Sequence, residues 1–342
     1  MKILGIESSC DDTSISIIDN KKNIIANETI SQNQIHKDYK GVVPELAARN
    51  HVLFIDKILK RILEKQQLRI TDIDLIAATV GPGLVGGLLV GLTFAKTLSQ
   101  VNTIPFIGVN HLEGHALTAR LTYKVEYPFL LLLVSGGHSN FYFISDINEY
   151  KFLGGTLDDA LGEAFDKVAN ILGLGFPGGP QLELLAMKGD YKKISLPKPL
   201  INDKNLNMSF SGLKTAVLNY NKEIDKNNFS KCDLAASFQK SVADVLCKKI
   251  SLAIEISNKE FSSYKNVVVS GGVAANNYLR EKIIETVKLK SKLAFFPPTN
   301  LCTDNGAMIA WAGYELYNAG VKSKLNIKAK PRWSLESIGE RA

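Results

Sequence analysis

The sequence lacks most of what would mark a disulfide-bonded, membrane-spanning or common nucleotide-binding protein. Its 342 residues hold four cysteines, Cys10, Cys232, Cys247 and Cys302, and no two form a C-x-x-C pair. That pattern gives neither a zinc ribbon nor a disulfide framework. Reduced thiols in a cytoplasmic chain are the simplest account. No apolar run approaches the ~18 residues of a membrane span. The opening MKILGIESSCDD meets acids before any long apolar stretch, so no signal peptide is expected. Charge of one sign is scarce in excess: 41 Lys and Arg against 34 Asp and Glu leave +7. Such a balance permits contact with a polyanion without demanding it. G-x-x-x-x-G-K-[ST] does not occur, which excludes a P-loop NTPase, and although the spacing G-x-G-x-x-G occurs in GPGLVG and GLGFPG, neither turn is read as opening a dinucleotide-binding Rossmann unit. There are five histidines, and none begins an H-E-x-x-H.

What is present is an α/β pattern too long for a single core of about 100–200 residues. The hydrophobic share of 45% and charged share of 22% are those of an ordinary globular chain. KILGIESSCDDTSISIID reads as strand, polar turn, strand. FLLLLVSGGHSNFYFIS, from Phe129, repeats that plan, with Phe129–Val134 as a strand buried on both faces. The recurrence suggests two related halves. Between strands, ELAARNHVLFIDKILKRILEKQ places Leu46, Leu53, Ile55, Ile58, Leu59 and Ile62 near helical spacing. The stretch from about 156 to 258 reads as helical, and DNGAMIAWAGYELYNAG spaces Ala307, Ala310, Trp311 and Tyr314 as an amphipathic helix, with Asp304 just ahead where N-caps sit. The expected domains are 1–127, with a helix at about 305–328 returning to it, and 128–304, carrying a helical insertion at about 156–258. Two halves that each open on a hairpin match, by fold analogy, the plan shared by actin, heat-shock ATPases and sugar kinases, with a central cleft holding a nucleotide.

Glycine turns follow apolar strands at VGPGLVGG, VSGGHS and VSGGVAANN, and GLGFPGGP ends a helix. Glycine lets a ligand approach the backbone, although it also simply ends strands. HLEGH puts His111 and His115 four apart, on one helix face. Glu113 lies roughly 200° around a helix of ~3.6 residues per turn, pointing away from both imidazoles. Metalloprotease chemistry with Glu113 as base is therefore disfavoured. The bare spacing reads more readily as structural unless a third ligand joins it. Asp304 is the attractive one, meeting the imidazoles across the cleft, and two histidines with one carboxylate suit Fe2+ or zinc with open positions. Asp159, Glu163 and Asp166 fall at i, i+4, i+7, an acidic strip suited to ribose hydroxyls. Asp11 and Asp12 sit in the first hairpin turn. Five cations and no acid run from Lys322 to Arg332, plainly read as a solvated tail, or else as a strip facing a polyanion.

Taken in order, GIESSCDDTSISI, SQNQIHKDYKGVVPELAARNH, GPGLVGGLLVG, VNHLEGH, LVSGGHS, GEAFDKVANILGLGFPGGP, SFSGLKTA, SGGVAANNYLR and CTDNGAMIAWAG resemble the tRNA N(6)-adenosine threonylcarbamoyltransferases of the bacterial TsaD type, once taken for sialoglycoprotein endopeptidases. The resemblance runs from Lys2 to about Trp333. It implies the actin-like fold and transfer of a threonylcarbamoyl group from threonylcarbamoyl-AMP to the 6-amino group of the adenosine beside the anticodon (position 37), in tRNAs reading ANN codons. It implies a divalent metal, Fe2+ or Zn2+, on His111, His115 and Asp304. Leu133, Val134, Ser135, Gly136 and Gly137 match the substrate-binding stretch, and Asp166, Gly179 and Asn276 further nucleotide contacts, with Glu183 beside them. Asp11 is the expected general base. The implied partners are the tRNA anticodon loop, a TsaB-type paralogue and a TsaE-type ATPase, with a homodimer as another arrangement and a cytoplasmic setting. A plain actin-like ATPase or kinase is the alternative. It would explain hairpins and glycines but not the His-His-Asp set.

Overall fold

The apolar run after Lys2 and the alternation of Ile15, Ile17 and Ile18 form antiparallel partners, with Ile3 opposite Ile18 and Ile6 opposite Ile15. In the computed structural model, which describes residues 1–39, 41–224, 228–261 and 263–340, they are β1 (Lys2–Glu7) and β2 (Thr13–Asp19). There follow β3 (Ile24–Ile30), α1 (Asn33–His36), α2 (Pro44–Gln66), β4 (Leu75–Gly81), α3 (Val85–Asn102), β5 (Phe106–Asn110) and α4 (His111–Thr122). The second series is β6 (Phe129–Val134), β7 (Ser139–Asp146), β8 (Glu149–Gly155), α5 (Leu161–Ile171), α6 (Gly178–Ala186), α7 (Ser211–Lys222), α8 (Lys231–Glu260), β9 (Asn266–Ser270), α9 (Asn277–Leu289), β10 (Leu293–Phe295) and α10 (Gly306–Asn318).

The chain divides into two units. Unit 1 comprises Met1–Lys124, Asp146–Tyr150 and Thr303–Ala342, and unit 2 comprises Val125–Ser145 and Lys151–Cys302. One sheet has the order β3-β2-β1-β4-β5 and the other β10-β9-β6-β7-β8. Reversed, the second order repeats the first. In both, the opening strand pairs antiparallel with its hairpin partner and parallel with the strand beyond. Parallel neighbours need a crossover, which supplies the helices. The repeat seen in the sequence is thus a repeat of topology.

Within unit 1, α2 buries Ile55, Ile58, Leu59 and Ile62 as its spacing predicts, but Leu53 faces outward at 54% exposure. Helix α10 packs on β1, β2, β4 and α4. Its start lies so close to β1 that a Cβ on Gly5 would stand 2.1 Å from the Gly306 carbonyl. Only glycine fits there.

The run after α10 is not a solvated tail. Lys330 N donates to Val80 O at 2.8 Å, Gly83 N to Pro331 O at 3.1 Å, and Gly108 N to Ser323 Oγ at 3.0 Å. Lys96 Nζ holds the Ile327 carbonyl, and Ile327 and Trp333 are buried. The chain is a strap across the ends of β4 and β5. It docks through its backbone, while Lys322, Lys324, Lys328 and Arg332 stay exposed.

In unit 2, Leu161, Phe165 and Val168 of α5 share one core with Leu234, Phe238 and Val242 of α8, and the Phe165 and Phe238 rings meet edge to face at 5.1 Å. Ser230 and Asp233 close a capping box at the start of α8. Among the described residues, no helix is long and apolar enough to cross a membrane.

Candidate functional site

Strand β5 hands over directly to α4 at Asn110. The Asn110 side chain caps the helix, accepting from Leu112 N at 2.8 Å, and its amide donates to Trp333 O at 3.0 Å. This fixes the start of α4, where His111 and, one turn on, His115 lie with rings 4.8 Å apart at 85°. Asp304 Oδ1 lies 3.1 Å from His115 Nε2 and 3.6 Å from His111 Nε2. Asp304 does not cap α10, contrary to its expected place. Asn305 does, accepting from Met308 N at 2.9 Å, which leaves the neighbouring carboxylate to the imidazoles. All three side chains belong to one unit rather than to two.

One atom from each of the three lies within 4.8 Å of the others. Two imidazole nitrogens and a carboxylate oxygen so gathered are a donor set that first-row divalent ions accept, with positions left for other ligands. The residues present therefore fit a metal. Burial alone would lower the His111 imidazole, yet the Asp304 and Glu7 carboxylates raise it to about 9. The site favours a positive occupant.

The remaining histidines make the contrast. His51 spends both nitrogens, Nδ1 on Thr13 Oγ1 at 2.8 Å and Nε2 on Cys10 O at 3.0 Å, and serves the core. Glu113 is fully buried and accepts from Tyr150 Oη at 2.7 Å, so it is turned to a structural task.

The β1–β2 turn carries Asp11 and Asp12, both half-buried. Burial, then the charges of Asp304 and Asp11, pushes the Asp12 carboxyl up to about 7. Burial and the same two charges push the Cys10 thiol up as well. Glu7, Ser9 and Thr79, which sequence reasoning did not single out, lie beside the imidazoles: Ser9 Oγ is 3.1 Å from His111 Nδ1, and Thr79 Oγ1 donates to Glu7 Oε2. Glu7 is wholly buried, and its Oε2 lies 3.1 Å from His111 Nδ1.

The nucleotide-binding candidates gather in unit 2. Leu133 and Val134 are ladder residues of β6 with buried side chains, so they offer a ligand no side chain. Ser135 N is already given to His138 O at 2.8 Å, leaving the N–H groups of Gly136 and Gly137 as the turn's donors. Gly162 N donates to Ser135 O at 3.1 Å, setting the start of α5 against the turn. A Cβ built on Gly136, Gly137 or Gly179 would meet no atom within 4 Å among the described residues. Those backbones are open to a ligand.

The acidic strip is divided. Asp159 precedes α5 and, with Glu163, binds Lys167 Nζ at 2.8 Å each. Asp166 instead accepts from Gly178 N at 2.8 Å, holding the Pro177-Gly178-Gly179 turn. Asn276 caps α9, accepting from Leu279 N at 2.9 Å and donating to Gln239 Oε1 at 2.9 Å. Glu183 accepts from Asn277 N at 2.7 Å, beside a pocket of about 390 Å³ also lined by Met187, Tyr191 and Gln239.

The family model described as TsaD: tRNA N6-adenosine threonylcarbamoyltransferase matches residues 23–311. A protein of that name from Rickettsia bellii (strain OSU 85-389) is 53% identical over 339 residues, covering 98% of this chain and 99% of the relative. Its namesake from Rickettsia rickettsii (strain Sheila Smith) is 52% identical over 344 residues, covering 99% of each. Among solved structures, HypF of T. kodakarensis superposes with a TM-score of 0.64 at 16% identity, covering 95% of this chain and 49% of that one. Component A of the Acidaminococcus fermentans (R)-2-hydroxyglutaryl-CoA dehydratase gives 0.55 at 18%, covering 94% and 100%. At such identities these two speak for the two-domain actin-like fold alone.

Proposed function

This chain belongs to the tRNA N6-adenosine threonylcarbamoyltransferase family, and from that premise we propose how its residues divide the work. The protein is a transferase that modifies tRNA. The acceptor is the 6-amino group of the adenosine beside the anticodon in tRNAs reading ANN codons, and the donor is threonylcarbamoyl-AMP. His111, His115 and Asp304 hold one divalent cation, Fe2+ ahead of Zn2+. The observation that carries this assignment is the convergence of Asp304 Oδ1 on both Nε2 atoms, at 3.1 and 3.6 Å.

The donor is a mixed anhydride whose phosphate leaves readily. The acceptor sets the difficulty, because the adenine amine's lone pair is delocalised into the ring. The protein must hold that amine in line, stabilise charge on the carbonyl and take a proton. Holding two reactants in place removes much of the bimolecular entropy cost. A divalent cation bound by the triad supplies Lewis acidity toward a carbonyl, carboxylate or phosphate oxygen.

The Gly136 and Gly137 N–H groups donate to oxygen charge of the adenylate. Gly179 gives its base or ribose an open backbone to lie on. Asp166 shapes that turn through Gly178, and Asn276 and Glu183 set the start of α9 beside it. Leu133 and Val134 contribute as the strand that aims the glycine turn. Asp11 removes the amine proton. The anticodon loop is single-stranded and can present its base without duplex melting. A TsaB-type paralogue and a TsaE-type ATPase are the partners we assign, with a homodimer as the other arrangement and the cytoplasm as the setting.

The test is transfer of labelled threonylcarbamoyl from synthetic donor to anticodon-loop adenosine, for wild type and His111→Ala, with partners added or withheld. Label in tRNA that vanishes with His111→Ala supports the reading. Phosphate release from ATP without tRNA or donor, and no transfer, would make the chain a plain actin-like ATPase.

A further inference from the structure

The triad's chemistry depends on which nitrogen of His111 faces the cation, and the residues behind the ring decide it. Glu7 ends β1 with no solvent exposure. Its Oε1 accepts from Ser9 N at 2.6 Å, and its Oε2 accepts from Thr79 Oγ1 at 2.5 Å. The same Oε2 stands 3.1 Å from His111 Nδ1, and Ser9 Oγ lies 3.1 Å from that nitrogen. The opposite edge of the ring carries Nε2, 3.6 Å from Asp304 Oδ1.

An ionised carboxylate accepts and cannot donate. Facing Glu7, Nδ1 must therefore be the nitrogen that carries a hydrogen. In the neutral ring that a cation would bind, Nε2 is then left with a lone pair on the side of Asp304. We infer that Glu7 is the positioning residue of the metal site: it fixes His111 with Nδ1–H toward β1 and Nε2 toward the cation. Glu7 itself is no ligand, because the imidazole ring separates its carboxylate from Nε2.

The wider setting supports a directed role. A buried carboxylate is costly unless its oxygens are paired, and here two oxygens face three donors from β4, α4 and the β1–β2 turn. An apolar residue of similar size would fill the space without that demand. What it could not do is hold one tautomer. His51 shows the alternative, with both nitrogens spent on protein groups. The inference rests on the metal reading of the triad.

Substituting Glu7→Gln leaves one oxygen where two were. If the amide NH2 group faces His111, Nδ1 must accept and Nε2 must carry the hydrogen, which removes the ligand atom. If it faces Ser9 N, two donors oppose each other. Loss of such outer partners weakens metal binding by about 10–100-fold. The experiment is a zinc titration of the full chain against a competing chelator, for wild type, His111→Ala and Glu7→Gln. It is joined to long-range 1H–15N spectra of the zinc-loaded wild type.

The expected result is loss of the site with His111→Ala and weakening within that range for Glu7→Gln. The wild-type spectrum should show His111 bound through Nε2 with Nδ1 protonated. Coordination through Nδ1 overturns the inference, even if Glu7→Gln does not fold. So does unchanged zinc affinity in a folded Glu7→Gln. If His111→Ala binds zinc as well as wild type does, the metal reading itself fails and takes this inference with it.

Discussion

Asn110 Nδ2 donates to Trp333 O at 3.0 Å, across 223 positions of sequence, so the strap holds the cap of the helix that carries both histidines. The strap's exposed cations are thereby fixed in place rather than trailing in solvent. Replacing Lys322, Lys324 and Lys328 together by Gln should weaken tRNA binding and flatten its salt dependence. Each lost phosphate contact removes roughly 0.7–0.9 from the slope of log K against log salt. Filter binding across a salt series reads this, and an unchanged slope would remove the strap from the tRNA-binding surface.

The same strap crosses β4 where no side chain fits. A Cβ on Gly81 would lie 1.8 Å from the Lys330 carbonyl, and that carbonyl belongs to the strap backbone. Gly81→Ala should cost on the order of 1–3 kcal/mol, as overpacking does, and should free the strap to proteolysis. Urea unfolding and limited digestion would measure both. A variant as stable and as resistant as wild type would contradict the docking described.

The triad makes a prediction about composition as well as rate. His115→Ala should abolish stoichiometric metal while leaving the unit folded, because α4 is held by its Asn110 cap and its packing on α10. Elemental analysis and circular dichroism are the readouts. Retained stoichiometric metal would show that the ion, if one binds, sits elsewhere.

Asp12 gives a dependence on pH. Its carboxyl is pushed up to about 7 from an ordinary 3.8, so between these values the folded chain holds a proton that the unfolded chain has released. Stability from this group is complete below the lower value and is lost as pH rises through the upper one. Asp12→Asn removes the charge. After chelator treatment its melting temperature should exceed that of wild type at pH 8, and the gap should narrow toward pH 5. Parallel curves at both pH values would refute the assignment. Assayed for transfer, Asp11→Asn should be inactive if Asp11 is the base.

Much of this is legible in the sequence. The hairpins announced themselves because alternation at period two is local, and the histidine pair because i, i+4 is a property of any helix. The helical face of α2 was legible for the same reason, apart from Leu53, which spacing admitted and packing turned outward. Asp304 was singled out as a candidate ligand but misread as a cap, since Asp and Asn both serve at that position and only the helix start distinguishes them. The acidic strip failed differently. Helical spacing was extended through Asp159, where the helix had not yet begun, and Lys167 claimed two of its carboxylates.

By itself, the sequence determined the strands, the repeated hairpin plan and the kinds of atoms available for chemistry, because these depend on short-range pattern and on side-chain type. Tertiary structure alone decided which of those atoms meet. Glu7 is one acid at the end of a strand, with no local mark to distinguish it, and it acquires its role from a histidine 104 residues away. The cations after α10 likewise read as a loose tail until backbone hydrogen bonds dock them. Those bonds join groups that every residue possesses, so composition carries no sign of where they form.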